Sequence, residues 1–575
     1  MEKTEPAGGT DRAVSQESQA ASSSSSNSSS RSASLSSSNT DEIRSHADAE
    51  ATVPGHELDV ELGELRGTSE LEKIGTRESA RSKISRIISA ASGRSKGGLR
   101  QEPIPITDLD AGIVGWESQD DPAYPMNFPA WKKWLLLGLV SLVTLTTPFA
   151  SSILSPAIGS VGEEFHNTSE TVGAMTVSIY LVGYVIGPLF MAPLSEIYGR
   201  RIVLASANLF FCVWQIGCAL APNMAALIVF RLLCGIGGAG CLTLGGGVIS
   251  DLFRTDQRGF AMGFWTLGPL FGPVIGPLIG GFVVETIGWR WDFWIVLILG
   301  GVIVVALEIF NRETNHRILI KRKVARLRKE LGRDDLRSCY EDGEAPRKLQ
   351  ILIHGLVRPM KLLALSPLVF FLSLYVAFVY GVLYLLFTTI PTLFETVYGF
   401  SVGLTGLVYL ALGLGNFLGW LVITLWSDKS VVQLAKSNGG KFLPEMRLAI
   451  SIFFGFFLPI TFFWYGWCAY YKVHWIASIL SLIPFGFGIM GLFLPIMTYL
   501  VDCYPIYAAS AIAANTVLRS LVGAFLPLAG PAMYQSLGLG WGNSLLGFIC
   551  VGMIPLPVIF YKYGAKLRAS QSFKL

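Results

Sequence analysis

Charged residues collect where one long apolar stretch of the chain ends. Residues 183–201 read GYVIGPLFMAPLSEIYGRR, so Glu196, Arg200 and Arg201 surround Gly199 in a short turn. A carboxylate and two guanidinium groups at the end of a membrane helix can form charge-assisted hydrogen bonds with each other and with helix ends. The simpler alternative is a basic loop that only sets the orientation of the chain in the membrane.

The same spacing returns in the second half of the chain. The residues Gly183, Gly187, Ser195 and Glu196 are matched in spacing by Gly415, Gly419, Ser427 and Asp428. Because a long polar segment separates the two copies, the repeat indicates two related helical bundles. Asp428 then takes the place in the second bundle that Glu196 takes in the first.

Charged residues within or next to apolar segments are expensive in a bilayer, so each is a candidate functional residue. Arg231 opens one such segment and Asp251 ends it. The alternative for Arg231 is a side chain that reaches back to the membrane surface. Asn515 and Arg519 are four residues apart and share a helix face, and Arg519 either pairs with Asp502 or lines a cavity.

Glycine and proline alternate in a second stretch, GPLFGPVIGPLIGG at residues 268–281. Glycine at every fourth position leaves a groove along one helix face, and each proline removes a backbone hydrogen bond and kinks the helix. The groove predicts the close approach of another helix. The array consists of Gly272, Pro273, Gly276, Pro277, Gly280 and Gly281.

Aromatic side chains inside the apolar segments form a further set of candidates. Rings can line a cavity for amphipathic or cationic ligands, although core or lipid packing is the alternative for each one. The candidates for a substrate cavity are Tyr180, Tyr184, Trp265, Tyr384, Asn515 and Arg519.

These residues must be carried by membrane helices. Apolar residues make up 51% of the 575 residues and charged residues 15%, against about 25% charged in soluble domains. Apolar runs of roughly 20 residues, the length that crosses a bilayer, lie near 135–155, 172–192, 202–220, 225–249, 260–284, 292–311, 366–390, 402–426, 448–467, 473–496, 508–533 and 541–561. The prediction is an all-α membrane protein with twelve transmembrane helices in two six-helix bundles.

The runs divide the chain into five parts. These are a disordered cytoplasmic N-terminal tail (1–130), a first bundle (131–311), a central loop (312–365), a second bundle (366–562) and a C-terminal tail (563–575). The serine-rich tail is too polar to fold alone. Within the central loop, residues 321–331 (KRKVARLRKEL) form a basic helix candidate that either lies on anionic lipid or belongs to a solvated linker.

The distribution of lysine and arginine predicts the orientation. The loops that follow the odd-numbered predicted spans contain only Arg290 and Lys472 as basic residues. Because cytoplasmic loops carry the excess of basic residues, we expect both termini and the central loop in the cytoplasm. Asn167 then lies outside, within the N-glycosylation sequon Asn167-Thr168-Ser169.

Several classes of protein are disfavoured by what the sequence contains. The net charge of +4 is too small to suggest a nucleic-acid partner. No phosphate-binding GxxxxGK[ST], GxSxG elbow or cluster of metal-ligand spacing occurs in the sequence, which argues against an enzyme or an ATP-driven pump and predicts no cofactor or metal. Six of the eight cysteines fall inside apolar runs, which favours membrane packing over disulfides.

The stretch GPLFMAPLSEIYGRR resembles the motif between spans 2 and 3 of the major facilitator superfamily. Glu196 stands where that motif usually has Asp, and Ala192 stands where it has Gly. PLSE-x-YGRR is similar to the fungal, twelve-span drug:proton antiporter branch. RTDQRGFAMGFW, WRWDFW and LGLGWGNSLLG resemble the same branch, and the resemblance covers residues 127–566.

The resemblance implies roles for the candidates named above. Glu196, Arg200, Arg201 and Asp251, together with Asp428, would form a cytoplasmic latch that holds the bundle ends together. Arg231, followed by Gly235, would support proton coupling. The glycine–proline array would be the antiporter motif, in tight contact with span 8 near Gly413, Gly415 and Gly419. The proton carrier stays unassigned, and the acids nearest the membrane are Glu285, Asp292, Glu308 and Asp502.

The function that the resemblance implies is export of small organic molecules, such as drugs, toxins or secondary metabolites, by proton antiport. The alternatives are a polyamine exporter, an exporter of an organic acid or glycolipid, and a transporter-like receptor that moves no solute. The expected partners are the substrate, protons and the lipid bilayer, with the protein a monomer. Its location would be the plasma membrane, with the vacuolar membrane as the alternative.

Overall fold

The computed structural model describes residues 104–341, 348–439, 443–504 and 507–569. Most of the predicted disordered tail lies outside the described residues. The side chains of residues 255, 256, 259, 428 and 569 also lie outside them, although their backbones are helical.

The first half of the chain forms six spans. Span 1 (Ala130–Ser152) is followed by a 3₁₀ turn (Ser155–Ala157) and a short helix (Ile158–Glu164), and span 2 consists of Glu170–Ser178 and Tyr180–Tyr198. Span 3 is Arg200–Ala219, span 4 Met224–Leu252, span 5 Thr255–Ile287 and span 6 Arg290–Phe310. Each helix begins before its predicted apolar run, and the helices of spans 2, 4 and 5 also continue beyond the end of the run.

The second half repeats this arrangement. Span 7 is Pro367–Tyr398 and span 8 Val402–Ser437. Span 9 comprises a 3₁₀ turn (Pro444–Arg447), Leu448–Gly455 and Phe457–Tyr470, and span 10 comprises Trp475–Leu480 and Leu482–Cys503. The last helices are Ala508–Met553 and Pro555–Ala569.

The last apolar segment contains two spans. Residues Ala508–Arg568 form a continuous helical segment of 61 residues, whereas about 20 residues cross a bilayer. Gly538 breaks it with a left-handed backbone (φ 72°, ψ 173°) that glycine adopts without steric cost. The chain folds back there, since the Tyr534 hydroxyl donates to Asn543 Oδ1 at 3.0 Å. The eleven membrane-length segments among the described residues therefore make the twelve predicted spans.

Small residues at corresponding positions pack the two bundles in the same way. A Cβ at Gly187 would lie 2.9 Å from the Ile236 carbonyl oxygen of span 4, and one at Gly419 would lie 2.7 Å from the Phe487 carbonyl oxygen of span 10. Close helix approach of this kind requires glycine. The sequence repeat is thus also a repeat of helix packing.

The two bundles contact each other at the end of the molecule that lies opposite Arg200. We call the end with Arg200 and the central segment the basic end, and the opposite one the far end. Toward the far end, the Ser151 hydroxyl lies 2.8 Å from the Tyr384 hydroxyl, and Gly403 N donates to Glu285 Oε2 at 2.9 Å. At the basic end, a vestibule of about 1020 Å³ is lined by residues of both bundles.

The central segment is folded. Helix α1 (His316–Leu331) and helix α2 (Lys348–Leu365) occupy it. A two-residue strand β1 (Ile113–Val114) pairs in parallel with β2 (Arg337–Ser338). Trp116, 2% exposed, packs against Ile320 of α1 and its neighbours, and its indole N–H donates to the Tyr340 hydroxyl at 3.0 Å.

Two predictions about this region are corrected by the structure. Residues 104–129, which we call the docked strap, are not a disordered tail, because they pack against α1 in a compact unit. The central loop is not a solvated linker, and the apolar face of its basic helix packs on the strap. The sequence pattern misses this unit because Val114 and Trp116 bury their side chains against residues about 200 positions later.

Candidate functional site

Arg200 is the centre of a polar cluster at the basic end. Its Nε lies 3.4 Å from Asp251 Oδ2, and its Nη1 donates to Ser195 Oγ at 2.5 Å. Its backbone N–H donates to Glu313 Oε1 at 2.8 Å. Arg200 begins span 3 and Asp251 lies in the last turn of span 4, so the cluster ties together the ends of two helices and the central segment.

The buried carboxylate that contacts Arg200 at this turn belongs to Glu313, whereas the sequence predicts Glu196 for this role. Glu313 is 6% exposed and lies against Gly199, whose φ of 104° is accessible to glycine. Glu196 is exposed and lines the vestibule, and it forms no ion pair with a described residue. Arg201 is exposed as well. The side chain of Asp428 lies outside the described residues.

His316 connects the cluster to the docked strap. Its Nε2 lies 3.1 Å from the Asp251 carbonyl oxygen, and its ring packs on Tyr124 with centroids 4.8 Å apart. Burial lowers the pKa of His316 below its ordinary value of 6.5, although the bond to Asp251 opposes this. A neutral His316 therefore fits the docked arrangement.

Arg231 lies inside the first bundle and is 0% exposed. It donates to three backbone carbonyl oxygens: Nη1 to Ala150 and Nη2 to Ser151, each at 2.6 Å, and Nε to Thr176 at 3.0 Å. Carbonyls of a last helical turn lack helical donors, so Arg231 satisfies the end of span 1. The alternative of an arginine reaching to the membrane surface does not describe this side chain.

Asp292 is a buried acid that interacts with Arg231. It lies in the first turn of span 6 and is 0% exposed, and neither carboxylate oxygen has a hydrogen-bond partner among the described residues. Arg231 interacts with it electrostatically without forming an ion pair within 4 Å. Sequence reasoning could not separate Asp292 from the other acids near the membrane, because its burial comes only from helix packing.

The glycine face of the span 5 array packs on span 1 instead of span 8. A Cβ at Gly272 would lie 2.7 Å from the Leu145 carbonyl oxygen, and one at Gly276 would lie 2.8 Å from the Phe149 carbonyl oxygen. Gly280 likewise faces Ile153 of span 1. Glycines four residues apart share one helix face, so all three meet the same neighbour.

Span 8 instead contacts the adjacent face of the array. A Cβ at Gly281 would lie 2.9 Å from the Val402 carbonyl oxygen, and one at Gly406 would lie 2.7 Å from the Pro277 carbonyl oxygen. Gly413 faces Val274 of span 5, whereas Gly415 and Gly419 face span 10. The expected contact between spans 5 and 8 is therefore present, and Gly281 and Gly413 belong to it, whereas Gly415 and Gly419 do not.

A central cavity of about 70 Å³ lies between the bundles. Both bundles line it, chiefly with aromatic and aliphatic side chains, and no described lining residue is acidic. Its polar and aromatic members are Tyr184, Thr266, Tyr380, Phe387, Asn416, Trp420, Phe493 and Arg519. Its volume is small beside the roughly 300–1,000 Å³ of ligand pockets, so the cavity offers little free space in this arrangement.

Four of the six predicted cavity residues do not line it. Tyr180 donates to the Thr147 carbonyl oxygen at 3.1 Å, and Tyr384 bonds to Ser151 at the bundle interface. The Trp265 indole donates to Thr144 Oγ1 at 3.0 Å. Asn515 is buried against Met497 of span 10. Tyr180, Tyr384 and Trp265 are thus hydrogen-bonded within the protein, whereas Asn515 Oδ1 is buried without a partner among the described residues.

Arg519 projects a cation into the cavity. Its guanidinium carbon lies 4.7 Å from the ring centroid of Tyr380 and 5.0 Å from that of Phe493. It forms no ion pair with a described residue, and its Nε is buried without a hydrogen-bond partner. Asp502 pairs with Arg447 instead, which decides between the two alternatives for Arg519 in favour of the cavity.

The chain forms twelve spans in two repeated bundles around a central cavity, which is the architecture of a multi-pass membrane transporter. The family model described as Major Facilitator Superfamily matches residues 140–527. The chain belongs to the major facilitator superfamily.

Several relatives support the same assignment. The chain is 48% identical over 462 residues to MFS transporter cpaT of Aspergillus oryzae, covering 80% of this chain and 93% of the relative. It is 45% identical over 495 residues to MFS-type transporter penM of Penicillium rubens, covering 84% and 97%. It is 44% identical over 469 residues to Efflux pump radE of Floropilus chiversii, covering 81% and 87%.

A solved structure shares the fold. The partially occluded inward-open conformation of the xylose transporter XylE from E. coli aligns with a TM-score of 0.56 and 17% identity, covering 76% of this chain and 98% of that one. At this identity the likeness concerns the fold alone.

Proposed function

We propose that the protein exports small organic molecules by proton antiport with alternating access. The observation that carries the proposal is the central cavity between two bundles that are closed toward the far end, with a vestibule at the basic end. The relative named as an efflux pump supports the direction of transport. Residues 131–311 and 366–562 would be the two moving bundles, linked by α1 and α2.

The basic residues support an orientation in which the basic end faces the cytoplasm. In that orientation the arrangement described here is the inward-facing one, which would load substrate from the cytoplasm. Asn167 would then lie outside, and the plasma membrane is the location we propose. Removal of N-linked glycan by an endoglycosidase should shift the mobility of the wild type but not of an Asn167→Gln variant.

Asp292 is the residue we propose as the proton carrier. A buried carboxylate without hydrogen-bond partners is costly in its charged form, whereas a fixed cation nearby favours that form. Arg231 is such a cation. Loading and release of a proton would then follow small changes in the surroundings of Asp292 as the bundles move.

The test is flux in proteoliposomes with an imposed pH gradient. The permanently charged aromatic anion 2-naphthalenesulfonate serves as the transported probe, because it crosses lipid poorly without a protein. We expect a pH gradient to drive the probe against its concentration gradient and a protonophore to abolish this flux. A receptor would bind the probe without moving it, and a facilitator would show no dependence on the gradient.

A further inference from the structure

We propose that the central cavity selects organic anions that carry a planar apolar body, with Arg519 binding the anionic group. This inference rests on the proposed export function and names its substrate class. Carboxylates, sulfonates and acidic enols on an aromatic or conjugated ring system share the required chemistry.

The charge of Arg519 is unpaired among the described residues. A cation in a low-dielectric cavity is costly unless an anion or hydrogen-bond acceptors compensate it. Arg231 shows how this chain satisfies a buried arginine, with three carbonyl acceptors. Arg519 has no ion-pair partner among the described residues, and its buried Nε has no acceptor. The missing partner is an anion from the substrate.

Two aromatic rings hold the guanidinium of Arg519. The rings of Tyr380 and Phe493 lie within 5.0 Å of its central carbon. Such contacts stabilise the cation and fix its plane, so its N–H groups are oriented before a ligand arrives. Guanidinium binds carboxylate and similar oxyanions with two parallel hydrogen bonds.

The rest of the cavity lining suits a flat apolar ligand. The cavity wall around Arg519 is aromatic and aliphatic, as a flat apolar body requires. Asn416 is 4% exposed, and its Oδ1 is buried without a hydrogen-bond partner. This oxygen can accept a hydrogen bond from a hydroxyl or amide group of the ligand, which adds a second polar contact in the cavity.

The vestibule carries charge of the same sign as Arg519. Its basic residues Arg200, Arg317, Lys321, Lys348 and Arg358 outnumber its acids Glu196, Asp251 and Glu341. A concave surface with an excess of one charge concentrates ligands of the opposite sign. An anion entering from the basic end is therefore favoured, whereas a polyamine would meet repulsion in both the vestibule and the cavity.

Three probes of one shape test the proposal in proteoliposomes. They are 2-naphthalenesulfonate, the neutral 2-naphthalenesulfonamide and the cation (2-naphthylmethyl)trimethylammonium. Binding is measured separately in detergent by quenching of tryptophan fluorescence, since Trp420 lines the cavity. We expect the sulfonate to bind and move roughly tenfold better than the amide, the ratio that one charge-assisted hydrogen bond supplies.

Variants of Arg519 locate the effect. Arg519→Gln should abolish the preference for the sulfonate, whereas Arg519→Lys should retain much of it because the charge remains. Equal binding of the three probes by the wild type, or an unchanged preference in a folded Arg519→Gln protein, would overturn the proposal. The wild-type comparison decides the question even if a variant fails to fold.

The two proposals fail in different ways. Selective binding of the sulfonate without any flux would support the anion site and contradict export. Flux of all probes that follows the pH gradient without selectivity would support export and contradict the anion site. Preference for the trimethylammonium probe would also overturn the proposal and favour a cation exporter.

Discussion

A single buried carboxylate explains why the turn after span 2 holds its shape. Glu313 accepts hydrogen bonds from the backbone N–H groups of Arg200 and Asn315 at 2.8 and 3.1 Å. These donors stand at a turn and at the start of a helix, where helical acceptors are missing. The acid that matters for the geometry of this turn is thus remote in sequence, and no spacing pattern would identify it.

Glu313→Ala should lower the stability of the protein by about 1–3 kcal/mol, because it leaves buried donors without an acceptor. Thermal unfolding in detergent measures this as a lower midpoint. Glu330→Ala is the matched control, since Glu330 forms an exposed pair with Arg326, and exposed pairs contribute little. Equal midpoints for the two variants would contradict the role assigned to Glu313.

His316 makes docking of the strap sensitive to pH. Because burial lowers the pKa of His316 in the folded protein, the undocked state binds the proton more tightly. Docking is therefore fully stable above the ordinary pKa of 6.5 and loses stability as the pH falls through that value. Hydrogen exchange at residues 104–124, corrected for intrinsic rates, should be faster at pH 5.5 than at pH 7.5.

A His316→Gln variant provides the control for this pH effect. Glutamine keeps a side-chain donor without titrating, so its exchange ratio between the two pH values should be near one. A pH effect of equal size in the variant would assign the sensitivity to another group.

Among the helices, the length and composition of the apolar runs predict the spans correctly. The twelve spans, their order and the repeated glycines follow from apolar runs and spacing. The partner of each helix face does not, because neighbouring residues of one helix point in directions about 100° apart. The span 5 array illustrates this: Gly280 faces span 1, and Gly281, the next residue, faces span 8.

Substitutions in span 5 should therefore separate two kinds of damage. Gly276→Leu overpacks the contact with span 1 and should destabilise the protein by about 1–3 kcal/mol. Gly281→Leu should leave the first bundle folded but keep span 8 away. Thermal unfolding reports the first effect, and cysteine cross-linking between the far ends of spans 5 and 8 reports the second.

Gly263→Leu is the matched control in the same helix, because a Cβ at Gly263 meets nothing within 4 Å. We expect it to change neither readout. Loss of the span 5 to span 8 cross-link in Gly276→Leu, with it intact in Gly281→Leu, would contradict the assignment of faces.

At the scale of the whole molecule, polar contacts between the bundles hold the far end closed. Glu285 of span 5 accepts from Gly403 N and from Ser401 Oγ, at 2.9 and 3.3 Å. An ordered contact present in one arrangement and absent in the other biases the equilibrium between them. Its strength sets how often the cavity opens to the far side.

Glu285→Ala should shift the population toward the arrangement open at the far end. A cysteine placed at Ser155, which is buried at this interface, should then react faster with a membrane-impermeant thiol reagent added outside. Thr286→Ala is the control, since its hydroxyl bonds only within its own helix. Equal labelling rates in both backgrounds would show that Glu285 does not contribute to closure.

We propose that inward proton movement through Asp292 drives outward movement of substrate. The most direct measurement compares two kinds of 2-naphthalenesulfonate flux in proteoliposomes, pH-driven accumulation and exchange at equal pH. For Asp292→Asn we expect exchange to persist while accumulation is lost, because a neutral side chain permits rocking without carrying a proton. Glu308→Gln, an acid of the same span, should retain both. Accumulation that survives in Asp292→Asn, or that needs no pH gradient in the wild type, would contradict the account.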